Sequence, residues 1–398
     1  MKAPQQHIII KGHGAISPLG HDASTVAAAY ASGVPAFKTI LHQGIATPVA
    51  ALTQEAEQQL NSLLDSNPSY KQLDRSVLMA VYAARQASMA AGWLTEDASV
   101  ADDLGVNIGS SRGATGLFEQ HFEDFQHKQL SSSASPTTTL GNLSSWVAHA
   151  VNAGGAQISH SITCSTALMA LANGVAWLRA GMAKRFLVGG TEAPLTDFTI
   201  AQMKAVGIYS KLSGHPFPCQ PYALEKQNTF TLGEGAAVFA IEQSDSLQPG
   251  DVLVEAVGMG FEKLVSKTGI SAEGINFQKS MRHALSQLSP EDQTVHLIIT
   301  HTPGTRAGDK AELAAIEAVF GAATPVAITT NKWLIGHTLG ASGALSMDYA
   351  IHILKQQQYT SPTYAHVLTP QNHKAIKRIM VNAAGFGGNA SSVIIALA

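Results

Sequence analysis

The chain has 398 residues, 45% of them hydrophobic and 13% charged, with a net charge of −3. So little charge suits a large, well-buried globular enzyme with about two or three domains' worth of core. The acidic balance, without a basic run or interleaved aromatics, excludes a nucleic-acid partner. No apolar run reaches the roughly 18 residues a membrane span needs.

In chain order, Met1-Lys2-Ala3-Pro4 leads almost directly into a predicted strand at Ile8 to Lys11. It lacks the apolar region and cleavage site of a secretory signal, so the expected location is cytoplasmic. A helix is expected over Ser76 to Ala91, preceded by Asp74-Arg75 as a capping and surface pair. A strand follows at Leu104 to Ile108. The next stretch, Gly109-Ser110-Ser111-Arg112-Gly113, lacks the Gly-Lys-Ser/Thr ending of a phosphate loop, so no nucleotide is expected there.

Gln157 to Ile162 alternates polar and apolar residues, the period of a half-buried strand. Leu168, Leu171, Val175 and Leu178 then recur at spacings of three and four, predicting an amphipathic helix over Ser165 to Met182. Cys164 stands between the two. A thiol there faces the positive end of the helix dipole, which favours thiolate and lowers its pKa. The plain alternative is an inert buried cysteine. A strand at Phe186 to Val188 exits through Gly189-Gly190. Cys219 lies 55 positions from Cys164 and reads as structural, which argues against a disulfide framework or a thiolate metal site. The 16 histidines show no HExxH-like spacing, so no metal is expected. Lys204 and Lys211 read as solvated lysines rather than a basic patch.

The second half predicts strands at Val252 to Val257, Leu297 to Thr300, Val326 to Thr329 and Arg378 to Asn382, and helices at Lys310 to Phe320 and Gly340 to Gln357. Alternating strands and helices indicate an α/β protein. An internal echo divides it. Phe186 to Gly190 is followed by Gly233 to Ile241, and Ile379 to Asn382 by Gly387 to Ile395. Each half thus closes with a strand, a glycine-containing connection and a second strand. The expectation is a duplicated fold with halves 1–245 and 246–398.

His301 ends one predicted strand, and Asn331-Lys332 and Gly336-His337 follow another, positions where open α/β folds place their chemistry. A thiol with two imidazoles fits attack on an acyl thioester, with two N–H donors for a developing enolate oxygen. A cysteine protease would instead need one histidine as base and an orienting Asn or Asp, an arrangement that spacing alone leaves open.

Six ordered segments carry a resemblance. They are Ile10 to Gly20, Ile162-Thr163-Cys164-Ser165-Thr166, Leu232 to Ala236, His301 to Glu312, Lys332 with Gly336-His337, and Asn382 to Asn389. The chain resembles the β-ketoacyl-acyl-carrier-protein synthases of the thiolase-like condensing-enzyme superfamily, in the elongating Cys-His-His class. The resemblance implies a layered α-β-α-β-α fold and decarboxylative condensation of an acyl thioester with malonyl-acyl carrier protein. Cys164 would be the nucleophile, His301 and His337 would support decarboxylation and hold the enolate, and Lys332 would charge and order their surroundings. The backbone N–H groups of Cys164 and Phe386 would form the oxyanion hole, with Phe386 gating acyl access. Thr305, Ala384 and Gly387 would line the substrate side. It further implies no bound cofactor, substrates carried on phosphopantetheine, and a dimer with itself or a related subunit.

Several positions depart from the family pattern. Pro303 replaces one of two pantetheine-contacting threonines, and Ser346, with Asp348 nearby, stands where a glutamate usually pairs with the lysine. The segment Phe261 to Gly274 is short. Ala384 replaces an aromatic, which predicts a wider cavity beside Cys164. A rival reading is a non-catalytic chain-length-factor-like subunit, which typically lacks the cysteine. A thiolase would need a second catalytic cysteine in the C-terminal half, and a starter-type enzyme an asparagine where His337 stands.

Overall fold

Runs of Val, Ile and Ala with interspersed glycine build strands that are buried on both faces. The computed structural model describes residues 6–94, 99–223, 227–263, 269–321, 326–369 and 375–398. The opening Met1-Lys2-Ala3-Pro4 and the middle of Phe261 to Gly274 lie outside the described residues. The strands are β1 (His7–Ile16), β2 (Lys38–His42), β3 (Ile45–Val49), β4 (Leu104–Gly109), β5 (Gln157–Ile158) and β6 (Arg185–Glu192). They continue with β7 (Gly235–Ser244), β8 (Val252–Phe261), β9 (Leu297–Ile299), β10 (Ala327–Thr329), β11 (Arg378–Gly385) and β12 (Asn389–Leu397).

Ten of them form one sheet in the order β10-β9-β11-β12-β8-β1-β7-β6-β4-β5, and β2 and β3 form a separate hairpin. The sheet hinges on a short antiparallel contact of β1 with β8, pairing Ile9 with Leu253 and Ile10 with Val252. Outward from that contact, both wings repeat one pattern: two antiparallel pairings, then two parallel ones. The wings also approach their helices alike. A side chain on Gly14 of β1 would fall 2.4 Å from the Ala83 carbonyl, and one on Gly260 of β8 would fall 2.1 Å from that of Asn276.

Helices sort into three layers around the two wings. Arg75–Ala90 and Asn142–Ala150 cover the outside of one, with Val77, Val81 and Val147 packed on Val106 and Val238. Ile275–Leu285 and Arg306–Phe320 cover the outside of the other. Between the wings lie Thr166–Arg179 and Ser342–Gln356. The second of these is buried almost all round, from Ser342 through Ile351, as a helix enclosed by two sheets must be. Its Leu345 and Ile351 join Leu168, Leu171 and Val175 in the central core. Each such side chain contributes roughly 2 kcal/mol by leaving water. The layering is therefore α-β-α-β-α, and it places the start of Thr166–Arg179 at the centre of the molecule.

Two expectations need correction. The strand before Cys164 is only Gln157–Ile158, because the Ser144 hydroxyl interrupts the ladder with β4, accepting the Ile108 N–H at 3.0 Å and donating to the Ile158 carbonyl. Asp74 caps its helix as expected, accepting the Ser76 N–H at 2.8 Å, but it is buried rather than part of a surface pair. Arg75 instead binds the carboxylates of Glu57 and Glu234.

Candidate active site

The polypeptide turns sharply just before Cys164. Thr163 sits at φ 49°, a left-handed conformation rare for a β-branched residue. The Thr166 hydroxyl staples that turn, donating to the Thr163 carbonyl (2.6 Å) and accepting the Ile162 N–H (2.8 Å). The C-terminal half clamps it from the other side. Ser165 Oγ donates to Asn389 Oδ1, and Asn389 Nδ2 donates to the Phe386 carbonyl at 3.2 Å. Gly385 lies so close that a Cβ there would fall 1.7 Å from Thr163 Oγ1 and 2.9 Å from the Cys164 nitrogen.

His301 follows β9 closely. Its backbone N–H and that of Thr302 each donate to Glu312 at 2.9 Å, so a buried carboxylate fixes the strand end. Burial pushes the Glu312 acid up to about 7, against the pull of those N–H donors. His337 is placed differently from the sequence expectation. It lies beyond the short helix Lys332–Ile335 rather than directly after a strand. Its N–H donates to the Thr231 carbonyl (2.7 Å), and its own carbonyl accepts the Gly233 N–H (3.1 Å). Its Nδ1 accepts the Leu339 N–H at 2.9 Å, which assigns the ring proton to Nε2.

The two imidazoles meet edge to face, with ring centroids 5.1 Å apart and planes at 86°. Cys164 Sγ and one nitrogen of each ring all lie within 4.8 Å of one another, close enough to share one oxyanion or one cation. Burial pushes His301 down to about 3, and the Lys332 charge adds to the effect. Burial, then the neighbouring His301 and Lys332, pushes His337 well below the usual histidine range. Both rings are therefore neutral N–H donors at ordinary pH.

The expected lowering of the Cys164 pKa is overturned. Burial, and then the charge of Glu192, pushes the thiol up to about 12 against the opposing Lys332. Desolvation disfavours the thiolate here, although Cys164 is only half-buried and lines the cavity.

A cavity of about 360 Å³ opens over the cluster. Cys164, His301, His337, Thr305, Ala384 and Phe386 line it, with Phe230 and Phe277 among its apolar walls. Gly387 does not line it; it occupies the turn beyond, at φ 95°. Thr305 also caps the helix Arg306–Phe320, its Oγ1 accepting the Gly308 N–H at 3.3 Å. Lys332 lies behind the cavity wall, where its Nζ donates to Ser346 Oγ (3.1 Å) and Asn331 Oδ1 (3.3 Å). Burial pushes this lysine down to about 8, while Glu312 and the two cysteines hold it up. Asp348, which lies near Ser346 in the sequence, bonds His13 Nδ1 at 3.1 Å. Lys204 is engaged too, donating to Thr47 Oγ1 at 2.7 Å.

Three residues of the site carried no role in the sequence. Glu312 ends the His301 to Glu312 segment, Gly385 lies within Asn382 to Asn389, and Glu192 is visible only as the residue after Gly190-Thr191. The Ser111 and Arg112 amides, in the loop dismissed as a phosphate site, bind the carboxylate of Glu192. The arrangement also bears on the two thiol chemistries at His337. A protease base needs a free imidazole nitrogen toward the sulfur and an acceptor behind the ring. His337 has a donor behind it, so it presents N–H, not a lone pair.

Residues 5–246 match the family described as Beta-ketoacyl synthase, N-terminal domain, and residues 253–367 match Beta-ketoacyl synthase, C-terminal domain. The chain is 27% identical to a 3-oxoacyl-[acyl-carrier-protein] synthase 2 of Staphylococcus aureus (strain COL), over 96% of each protein. The fold is similar to a type II PKS acyl-carrier protein complex with its ketosynthase bound to the hexaketide (TM-score 0.84, 19% identity), covering 99% of this chain and 100% of that one. It is also similar to the ishigamide ketosynthase/chain length factor, with a TM-score of 0.83, 21% identity, and the same coverage of 99% and 100%. At these identities the two structures establish the thiolase-like fold.

Proposed function

Because the chain belongs to the β-ketoacyl synthase family, we propose that it is a condensing acyltransferase joining an acyl thioester to malonyl-acyl carrier protein with loss of CO2. The observation that carries this reading is the convergence of one thiol and two neutral imidazoles on a single cavity.

In the first step the Cys164 sulfur attacks the acyl thioester. The new C–S bond replaces the old one, and the thiol proton leaves with the pantetheine sulfur. The N–H groups of Cys164 and Phe386 are assigned to the tetrahedral oxyanion. In the second step the malonyl thioester oxygen accepts hydrogen bonds from His301 and His337, its carboxylate leaves as CO2, and the electron pair passes into the enolate. Preorganised neutral donors suit that charge, because a charged imidazolium would protonate it. In the third step the enolate carbon attacks the acyl group on Cys164. A C–C bond forms, the C–S bond breaks, and the released thiolate takes up one proton per turnover. Lys332 is assigned to stabilise negative charge from behind the rings, and Thr305 and Ala384 to contact the arriving substrate. This chemistry calls for no bound cofactor.

The halves 1–245 and 246–398 are assigned as duplicates, supported by the repeated strand pattern of the two wings. The proposed partners are an acyl carrier protein and a second synthase-like subunit, and the proposed location is the cytoplasm. Among the described residues no helix is long and apolar enough to cross a membrane. The chain-length-factor reading is weaker, because Cys164 and both histidines are present and mutually placed.

The test is intact-mass analysis with a panel of acyl-acyl carrier proteins, followed by malonyl-acyl carrier protein. An acyl adduct on Cys164, then a β-ketoacyl product with CO2 release, supports the reading. No adduct from any acyl donor would overturn it.

A further inference from the structure

Glu192 ends β6 with almost no exposure to solvent, yet its carboxylate meets five donors. Oε1 accepts from Ser110 Oγ (2.6 Å) and the Arg112 N–H (3.2 Å). Oε2 accepts from Ser111 Oγ (2.5 Å), the Ser111 N–H (2.9 Å) and the Gly340 N–H (2.7 Å). Burial pushes its acid upward, and these donors pull it back. Three of the donors are backbone N–H groups that cannot accept, so the cradle suits an ionised carboxylate, and a protonated acid would have only the Ser110 and Ser111 hydroxyls to donate to.

Gly340 is the informative partner. It follows Leu339, which holds φ 43°, a left-handed conformation that a branched apolar side chain adopts only under constraint. The two consecutive amides then diverge: Leu339 donates to His337 Nδ1 and Gly340 donates to Glu192. The packing leaves little slack, since a Cβ on Gly340 would fall 2.4 Å from the Ser111 nitrogen and 2.7 Å from Glu192 Oε2. On its other side the same carboxylate holds the Ser110–Arg112 turn, and the Ser111 carbonyl accepts from Ser161 Oγ at 3.1 Å, three residues before Cys164.

We propose that Glu192 is a positioning residue for His337: by anchoring the Gly340 amide it holds the strained Leu339 turn in place, and that turn keeps the His337 proton on Nε2. The carboxylate touches no reacting atom. It acts through a backbone amide belonging to the other half of the chain, so it also registers the histidine loop against the loop leading to Cys164. Without it, Leu339 relaxes toward negative φ, its N–H leaves Nδ1, and His337 populates both tautomers. For the activity readout the inference rests on His337 serving as an enolate donor; the tautomer readout does not depend on that.

The test is Glu192→Gln, which keeps the side chain's size but turns an NH2 toward backbone N–H groups. Proton–nitrogen correlation spectra of histidine-labelled protein read the tautomer, and malonyl decarboxylation and acyl transfer to Cys164 are measured separately. The expected result is loss of the single Nε2–H pattern at His337. The kcat of decarboxylation falls by roughly 10–100-fold, the usual cost of losing a supporting partner, with KM little changed and acyl transfer less affected. Glu192→Asp, which keeps the charge but falls short of Gly340, shifts the tautomer ratio the same way by less. Adding Leu339→Gly to Glu192→Gln restores part of the Nε2–H population, because glycine adopts φ 43° without an anchor. An unchanged His337 tautomer in both Glu192 variants would overturn the proposal. So would equal losses of decarboxylation and acyl transfer with the tautomer intact, which is the mark of a merely structural residue.

Discussion

Gly385→Ala tests the geometry of the site most directly, because the added methyl has nowhere to go. Its Cβ would fall 1.7 Å from Thr163 Oγ1, 2.7 Å from Thr163 Cβ and 2.9 Å from the Cys164 nitrogen. Ordinary contact is about 3.5 Å, so even with the Thr163 hydroxyl rotated aside the Thr163–Cys164 turn must recede by about 0.8 Å. Rotating the Thr163 side chain does not relieve the clash, because Cβ and backbone are also within the overlap. Overpacking of this kind costs roughly 1–3 kcal/mol of stability. The effect on chemistry is larger, since misplacing a reacting group by about 1 Å can cost 10²-fold in rate. The expected outcome is a folded protein whose acylation at Cys164, followed by intact mass after rapid mixing with acyl carrier substrate, slows by about 10²-fold or more. Thr163→Gly removes both offending side-chain atoms and suits φ 49° without strain, so the double variant recovers part of the rate. Acylation of Gly385→Ala at the parent rate would refute the clamped-turn account of Cys164.

Other perturbations test other parts. His337→Ala removes one of two enolate donors and lowers malonyl decarboxylation by roughly 10²–10³-fold, measured as CO2 release. An unaltered rate would remove His337 from the step. Ser346→Glu places a carboxylate beside Lys332 and raises its pKa above the present value of about 8. Condensation that depends on the ammonium then persists to higher pH, and a pH–rate profile with the alkaline limb unmoved would contradict the role of Lys332. The stability sign follows from the same shift. Folded Lys332 releases its proton near 8 and the unfolded lysine near 10.5, so between those values the unfolded chain binds more protons. Stability from this group therefore rises with pH across that window, and Ser346→Glu flattens the rise in denaturant titrations. Ala384→Phe fills part of the cavity of about 360 Å³ and shifts the acyl-chain preference toward slimmer chains in competition assays. An unchanged preference would show that Ala384 does not set the width.

Most strands of the large sheet, the helix after Cys164 and the outline of the site were legible in the sequence because they depend on local periodicity and on short motifs of fixed chemistry, whereas the β2–β3 hairpin and the true extent of β5 were not. The period of Leu168, Leu171, Val175 and Leu178 places one face of Thr166–Arg179 in the central core wherever the helix goes. His301 and His337 could be named from their motifs. Three features were hidden for one reason: each depends on atoms brought together from distant parts of the chain. The thiol pKa follows how deeply the sulfur is desolvated and where Glu192 comes to lie, which the helix dipole alone misjudges. Asp348, two residues beyond Ser346, turns to His13, on a strand at the far end of the chain. Gly385 and Glu192 acquire meaning only when β11 and β6 deliver them against the Cys164 and His337 loops. By itself the sequence determined which residues alternate, which cap and which carry chemistry, since these are properties of neighbours along the chain. Tertiary structure alone decided the tautomer of His337, the charge around Lys332 and the placement of the sulfur. The sulfur and Lys332 take their surroundings from segments that meet only in the fold, and the His337 proton depends on the left-handed turn at Leu339, which no local pattern encodes.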